Sequence, residues 1–298
     1  MFSPGMSLSN ESLAPLPAEV LTLIGMALRE DVADGDITAA SFVPESRQAR
    51  ADILAKEPGI VAGVAVACAV FAAQDASLTV TPLRADGDSV QRGDAVISLS
   101  GSARSILTAE RTALNFLQRL SGIATATRRY VDAVAGTGTQ ILDTRKTTPG
   151  WRWLEKQAVR AGGGTNHRTG LYDMVMVKDN HLSVAGDTAE LQAGIDRAHA
   201  AKPGVRIEIE ADTVDQVSRF LTLRGVDVIM LDNMTMEEMR SAVALARGSG
   251  VKLEASGGVT LERLREIAET GVDFISSGAL THSVKALDLS LDFEGTAL

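Results

Sequence analysis

The stretch RIEIEADTVDQVSRFLTLRGVDVIMLDNMTMEEMRSAVALARGSGVKLEASGGV (206–259) decides the fold. Short β-branched runs alternate in it with segments of helical periodicity. The strand candidates are Arg206–Ile209, Asp227–Leu231 and Val251–Ala255, and the helix candidates between them are 213–223 and 235–247. Because strands that alternate with helices form parallel sheets through right-handed crossovers, this stretch predicts an α/β fold.

The same alternation continues on both sides of this stretch. The further strand candidates are Gln140–Asp143, Asp173–Val177 and Asp273–Ser276, and the further helix candidates are 151–161, 187–201 and 260–270. The later strands end at nearly even spacing, at Glu210, Asp232, Ser256 and Gly278, which is typical of a barrel. Since only six strands are clear, we expect an incomplete (β/α) barrel.

The N-terminal part of the chain has a different pattern. Residues 49–100 contain short alternating strands and turns, preceded by a helix over 17–28 and followed by a long helix over 108–135. Residues 286–297 (ALDLSLDFEGTA) alternate apolar and polar side chains with a period of two. They predict a strand that can pair back onto the N-terminal sheet.

Composition excludes several classes of protein. The net charge of -9 disfavours binding to nucleic acid. Cys68 is the only cysteine, so neither an intramolecular disulfide nor a paired-cysteine zinc site is possible, which fits a reducing compartment. The longest apolar stretch, 59–73, is shorter than the roughly 20 residues that span a bilayer. The start of the chain shows no signal-peptide pattern, and we expect a cytoplasmic protein without a membrane segment.

Charged residues and glycines follow almost every predicted strand, at the end where a parallel barrel forms its site. The cations come early and the carboxylates late, which solvated loop ends would not be expected to do. These residues are Arg145, Lys146, Lys178, Asp179, Glu208, Glu210, Asp232, Asn233, Glu254, Ser256, Ser277 and Gly278.

A local excess of positive charge lies between residues 142 and 181. This segment holds seven Lys or Arg and four Asp or Glu, a net charge of +3, so the rest of the chain carries -12. His167 beside Arg168 adds hydrogen-bond donors, and Gly162–Gly164 allow close approach of the backbone. Such a region in an acidic protein predicts a pocket for a strongly anionic small molecule.

Two glycine loops at consecutive strand ends suggest phosphate binding. ASGGV (255–259) and SSGAL (276–280) each end a strand and begin a helix, where free backbone N–H groups attract anions. Glu210 and Asp232 need another role. They could bind sugar hydroxyls, hold magnesium, stabilise a developing cation, or form ion pairs with Lys146 or Lys178 across the barrel mouth.

Seven segments together resemble the quinolinate phosphoribosyltransferase family, in the family's order and over nearly the whole chain. The segments are EDVADGDIT (30–38), AERTALNFLQRLSGIATAT (109–127), LDTRKTTPG (142–150), GGGTNHRTGLYDMVMVKDNH (162–181), IEIEA (207–211), DVIMLDNM (227–234) and LEASGGV (253–259). One extra residue between Glu210 and Asp232, around 218–225, departs from the family pattern. The tail before Pro15 matches nothing in it.

The resemblance implies an architecture and a reaction. It implies an N-terminal α/β open sandwich over 1–118 and a barrel-like catalytic domain over 119–298, with the C-terminal strand packing back on the first. Quinolinate and phosphoribosyl pyrophosphate would give nicotinate mononucleotide, carbon dioxide and pyrophosphate, with Mg²⁺, as a step of NAD biosynthesis. It also implies a homodimer with shared active sites.

The resemblance assigns roles to particular residues. Those that bind substrate carboxylates would be Arg145, His167, Arg168 and Lys178, with Thr144 beside them and Arg111 from the partner subunit. Those that hold phosphate would be Lys146, Ser256, Gly257, Gly258, Ser277, Gly278 and Ala279. Glu210 and Asp232 would face the ribose and the magnesium ion, and with Lys146 they form the predicted catalytic set.

Three other interpretations of the cationic pocket stay open. A paralogue of the same family, associated with molybdenum transport, shares the barrel, although the His167–Arg168 pair favours quinolinate. A Schiff-base aldolase would use Lys146 or Lys178 as its nucleophile. A sensor of phosphorylated sugars would keep the pocket without turnover.

Overall fold

The computed structural model describes residues 15–181 and 187–295. Two features of the sequence analysis lie outside these ranges. They are the tail over 1–14, which matches no family segment, and the last two positions of the predicted strand 286–297. Contacts divide the chain into two compact units. The first contains the chain up to Ala126, Pro149–Gly163 and the chain from Val284, and the second contains Thr127–Thr148 and Gly164–Ser283.

The helices and strands alternate more regularly in the second half of the chain. The helices are α1 (Ala18–Val32), α2 (Ile37–Phe42), α3 (Val64–Gln74), α4 (Ala103–Ala133), α5 (Arg152–Ala161), α6 (Thr188–Ala201), α7 (Val214–Phe220), α8 (Met236–Ala246), α9 (Leu264–Ala268) and α10 (Ala279–His282). The strands are β1 (Gln48–Ala55), β2 (Gly59–Ile60), β3 (Thr79–Pro82), β4 (Ser89–Val90), β5 (Ala95–Ser102), β6 (Gln140–Leu142), β7 (Met174–Val177), β8 (Arg206–Ala211), β9 (Val228–Asp232), β10 (Lys252–Ser256), β11 (Phe274–Ser276) and β12 (Leu289–Phe293).

The first unit is built on an antiparallel sheet with strand order β12-β1-β5-β3. In β1 the alternate residues Ala51, Ile53 and Ala55 are fully buried, as expected for a strand with one face on a core. β12 pairs antiparallel with β1, with Phe293 opposite Ala51, so the C-terminal strand completes this sheet. Asp36 caps α2 by accepting from the Ala39 N–H at 2.8 Å.

The long helix α4 begins five residues earlier than predicted. Arg111, Arg119 and Gly122, spaced at helical intervals along α4, have different environments. Arg119 binds the fully buried Glu155 at 3.2 Å, and Gly122 allows close approach of the Lys285 carbonyl, so both serve packing within the first unit. Arg111, on the same helix, is exposed.

The second unit is a six-stranded parallel sheet with order β6-β11-β10-β9-β8-β7. All six strands lie within two residues of their predicted bounds. Leu142 also forms an isolated parallel bridge with Thr165, beyond the edge strand β6. Residues from every strand line the same two cavities, so the sheet curls into the expected incomplete barrel.

Alternation along each strand sorts side chains between the barrel interior and the surrounding helices. On β8, Glu208 and Glu210 face the interior cavities, whereas Ile207 and Ile209 face the side of α6. The predicted helix 260–270 is a 3₁₀ turn (Leu261–Arg263) followed by α9, and the Thr260 side chain makes no capping bond. Among the described residues, no helix has the length and apolar character needed to cross a membrane.

Candidate active site

A cavity of about 420 Å³ opens at the carboxyl ends of the parallel strands. It brings together the predicted cations, the predicted carboxylates and the first glycine loop. Its lining residues are Thr144, Arg145, Lys146, His167, Arg168, Met176, Lys178, Glu210, Met230, Asp232, Asn233, Glu254, Ser256, Gly257 and Ser276.

Of the second glycine loop, Ser276 lines this cavity, whereas Ser277, Gly278 and Ala279 are outside its lining. The Ser277 N–H donates to the Leu142 carbonyl at 3.1 Å, and the Ala279 N–H donates to the Ser277 hydroxyl at 3.3 Å. A Cβ on Gly278 would come within 2.8 Å of Lys146 Cδ, so the missing side chain leaves room for the lysine. The Thr281 hydroxyl donates to the Lys146 carbonyl at 2.7 Å, which ties the loop to Lys146.

Two further predicted residues are outside the cavity lining. Gly258 follows Gly257 with φ of +57°, in the left-handed conformation that glycine adopts without strain. Arg111 belongs to the first unit, where it is exposed on α4.

The cationic wall comes from the loop after β6 and the segment before β7. The Lys146 N–H donates to the Thr144 hydroxyl at 3.1 Å, which shapes this loop. The pKa of Arg168 is lowered, first by partial burial and then by the charge of Arg145. Two guanidinium groups that repel each other are stabilised by an anion, so this wall is suited to a carboxylate or a phosphate.

The carboxylate wall comes from the ends of β8 and β9. Lys178 Nζ lies 2.5 Å from Glu210 Oε2, so the predicted ion pair across the mouth is present for this carboxylate. Asp232 accepts from the side-chain amide of Asn233, whose φ of +54° is unusual for a residue other than glycine.

Glu210, Asp212 and Asp232 offer carboxylate oxygens that lie within 4.8 Å of one another. Oxygen ligands of this kind suit Mg²⁺, which takes one or two carboxylates and shares its other positions with water and phosphate. The donor set therefore fits magnesium. Asp212 was not among the predicted residues, although it directly follows the IEIEA segment.

A second cavity of about 290 Å³ extends toward the amino ends of the strands and shares three residues with the first, His167, Arg168 and Glu254. His167 Nε2 lies 2.9 Å from Glu208 Oε2 and 3.4 Å from Glu254 Oε2. Burial lowers the pKa of His167, but hydrogen bonds and charge from the two carboxylates outweigh it and would bring the pKa to about 9. Burial, and then Glu254, raise the pKa of Glu208.

The cationic region is narrower than the predicted segment 142–181. Arg152, Lys156 and Arg160 lie on α5, which belongs to the first unit, and none of them lines the cavity. Lys156 is buried there. Their place in the sequence, between Lys146 and Arg168, predicted a place in the pocket that they do not have. The chain leaves the second unit at Pro149 and returns after Gly163.

Comparison with known proteins agrees with this arrangement. Residues 36–121 match the family model "Quinolinate phosphoribosyl transferase, N-terminal domain", and residues 123–292 match the corresponding C-terminal domain. A probable nicotinate-nucleotide pyrophosphorylase (carboxylating) of Bacillus subtilis is 45% identical over 88% of this chain and 89% of its own length. A chloroplastic nicotinate-nucleotide pyrophosphorylase of Oryza sativa is 43% identical over 97% of this chain and 83% of its own.

A solved structure shares the fold over most of both chains. The nicotinate-nucleotide pyrophosphorylase of Francisella tularensis superposes with a TM-score of 0.87 at 39% identity, covering 94% of this chain and 98% of its own. The two domain models match one after the other along the chain, and the relatives are well above 30% identical to it. The chain therefore belongs to the quinolinate phosphoribosyltransferase family.

Proposed function

We propose that this chain transfers the phosphoribosyl group of phosphoribosyl pyrophosphate to quinolinate, giving nicotinate mononucleotide, carbon dioxide and pyrophosphate in NAD biosynthesis. The observation that carries the proposal is the single cavity in which Arg145, Arg168 and Lys178 face Glu210 and Asp232. A substrate with two carboxylates matches the first group. A reaction that develops positive charge on a sugar matches the second.

The cations hold quinolinate. Arg145 and Arg168 can each grip a carboxylate through two N–H groups, and Lys178 adds a point charge. Thr144 and His167 complete this wall. Binding the dianion removes the repulsion between the two arginines, which favours the loaded pocket over the empty one.

The remaining lining residues hold phosphoribosyl pyrophosphate. Lys146 and the loops Ser256–Gly258 and Ser277–Ala279 are suited to its phosphate groups. In the second loop the N–H groups of Ser277 and Ala279 already have acceptors, which a phosphate oxygen would have to replace. The pyridine nitrogen attacks the anomeric carbon while pyrophosphate leaves, through an oxocarbenium-like state. Glu210 and Asp232 stabilise the positive charge of that state, which makes them and Lys146 the catalytic residues.

Magnesium is the expected cofactor, with Glu210 and Asp232 as ligands and Asp212 as a third candidate. When bound, the ion would neutralise the leaving pyrophosphate. Glu210 also pairs with Lys178, so its carboxylate must divide its oxygens between the lysine and the metal. Decarboxylation follows transfer, because the ring nitrogen then carries a positive charge and accepts the electrons of the broken bond.

The direct test supplies quinolinate, phosphoribosyl pyrophosphate and magnesium, and detects nicotinate mononucleotide by mass. We expect product with quinolinate and none with nicotinate in its place. Arg145→Ala should lose almost all turnover, while Arg247→Ala, an exposed arginine outside the cavity, should keep it. A wild-type protein that makes no product would contradict the proposal.

We further propose that the protein is a homodimer in which Arg111 enters the partner's active site. Support comes from large apolar side chains that are exposed in each unit: Ile37 (83%) and Phe42 (84%) in the first, Leu171 (76%) and Tyr172 (70%) in the second. Exposed apolar residues of this size are typical of an interface. A two-fold dimer can bury both groups.

Subunit exchange tests the shared site. Arg111→Ala and Lys178→Ala should each be inactive alone, and their mixture should recover activity, because a hybrid dimer contains one intact site. Light scattering gives the mass of each protein. We expect the wild type to be a dimer and the Phe42→Glu variant to be a monomer. No recovery after verified exchange would count against a shared site.

The proposed compartment is the cytoplasm. Support is limited to the lone buried thiol of Cys68, which fits a reducing environment. Some plant relatives carry the words chloroplastic or mitochondrial in their names. Fractionation of cells that produce this chain would decide between these compartments.

A further inference from the structure

His167 is joined to the protein through both of its ring nitrogens. Nε2 faces Glu208 at 2.9 Å and Glu254 at 3.4 Å. On the other side of the ring, the backbone N–H of Arg168 donates to Nδ1 at 2.7 Å. The imidazole therefore connects two buried carboxylates to the main chain of an arginine in the candidate active site.

The two carboxylates occupy an unfavourable place. Glu208 and Glu254 are each 1% exposed, and Oε1 of each has no hydrogen-bond partner among the described residues. Buried carboxylates in such a position cost more than apolar side chains of similar volume would. Their presence in a barrel interior is explained if they act on His167, the group that both of them contact.

The hydrogen bond from the Arg168 N–H to Nδ1 disfavours a metal ion on Nε2 of this cluster. An amide N–H can donate only to a nitrogen with a free lone pair, so Nδ1 carries no proton. Nε2 then carries the proton of the neutral ring and donates to the carboxylates, which leaves it no lone pair for a metal. The carboxylates favour protonation of both ring nitrogens. A proton on Nδ1 would point at the Arg168 N–H and break the hydrogen bond between Arg168 and Nδ1.

The segment that carries Arg168 is held at further points. The His167 N–H donates to Asp143 Oδ1 at 2.8 Å, and the Asn166 amide donates to Asp143 Oδ2 at 2.7 Å. Asp143 is fully buried at the end of β6. The backbone is thus fixed before Arg168 by Asp143, and at Arg168 itself by the imidazole.

We propose that Glu208 and Glu254 are positioning residues that orient His167, and through its Nδ1 hold the backbone of Arg168 so that the guanidinium faces the anion pocket. His167 then supports Arg168 in addition to its own place in the wall of the cavity. The inference rests on the proposed function, in which Arg168 grips a carboxylate of quinolinate.

Steady-state kinetics of Glu254→Gln tests the relay. Glutamine keeps the shape of the side chain but removes its charge and can turn its NH₂ group toward Nε2. We expect the KM for quinolinate to rise about tenfold, within the range that partners of site residues show, and the KM for phosphoribosyl pyrophosphate to change less than about twofold. Glu208→Gln should change the two KM values in the same way. Glu269→Gln, on the exposed side of α9's end, is the matched control and should change neither constant.

Nitrogen NMR of histidine-labelled protein tests the same relay without any change in the site. We expect, above the His167 pKa of about 9, the signals of a neutral ring protonated on Nε2. They are assigned by their loss in His167→Gln, and Glu254→Gln should show a mixture of tautomers. A ring protonated on Nδ1, or both KM values unchanged in the glutamine variants, would overturn the inference. Failure of the proposed function would appear separately, as a wild type without turnover.

Discussion

Glu208 and Glu210 stand two residues apart on one face of β8, yet their surroundings differ. The upper carboxylate, Glu210, pairs with Lys178, whose side chain is 43% exposed. The lower carboxylate, Glu208, pairs with His167, whose side chain is 7% exposed, and is itself 1% exposed. The strand thus presents the same group once beside a half-exposed lysine and once beside a buried histidine.

The difference separates two uses of an ion pair. A pair whose lysine is in contact with water contributes less to stability than a fully buried pair, so Lys178 and Glu210 can part and bind substrate groups at lower cost. A buried pair is costly to break, because the partner left behind is an uncompensated charge. We call the Lys178–Glu210 pair the upper level and the group of His167, Glu208 and Glu254 the lower level. The upper level is therefore suited to chemistry and the lower level to holding the geometry of the site.

The largest expected effect is the loss of unfolding free energy when the partner of the carboxylate is removed, first at the lower level and then at the upper level. His167→Leu leaves Glu208 and Glu254 without their shared donor, and we expect unfolding free energy to fall by about 3–5 kcal/mol. Lys178→Leu removes a half-exposed partner and leaves Glu210, which is 7% exposed, in the wall of the first cavity, so the loss should be smaller, about 1–2 kcal/mol. Urea unfolding followed by circular dichroism measures both. Equal losses would remove the distinction between the two levels.

Activity should respond in the opposite order. Glu210→Gln keeps the shape of the upper side chain but removes the charge that stabilises the oxocarbenium-like state, and kcat should fall about 10²–10³-fold, with little change in the melting temperature. Stopped-flow or discontinuous assay of nicotinate mononucleotide gives kcat. A variant with wild-type kcat would show that Glu210 serves only as the partner of Lys178.

The upper level could be predicted from the sequence because it follows from local rules. Strand ends of a parallel barrel meet at one mouth, so residues such as Lys178, Glu210 and Asp232 could be placed together before any coordinates. The family resemblance then gave them roles. Register fixes which side chains share a face, and in β8 that was readable from the alternation of Glu and Ile.

The lower level could not be predicted in the same way. His167 and Glu208 are 41 residues apart, and no local pattern says how deep a side chain lies or which group it meets. The excursion of α5 into the first unit had the same cause: Lys156 is close to Lys146 along the chain but packs in another core. Depth and long-range partners depend on the complete tertiary arrangement.

The smallest expected effect concerns Asp173, a carboxylate that lines the second cavity and binds the backbone of its own turn. It accepts from the N–H groups of Thr169 at 2.6 Å and Gly170 at 3.0 Å, just after Arg168. Burial raises its pKa, but these backbone hydrogen bonds outweigh that effect and hold the pKa below the usual 3.8. A lowered folded-state pKa means stabilisation that is present above 3.8 and lost as the pH falls through the folded value.

Asp173→Asn should therefore be less stable than the wild type at neutral pH by roughly 1 kcal/mol, because asparagine keeps one acceptor oxygen and solvent screens the lost charge. The gap should close as the pH falls below 3.8, where the wild-type carboxylate also gains a proton. Urea unfolding at a series of pH values measures it. A gap that stays constant with pH would mean that the shape of the turn, and not the charge of Asp173, carries the stabilisation, and the turn would then belong with the fixed lower level.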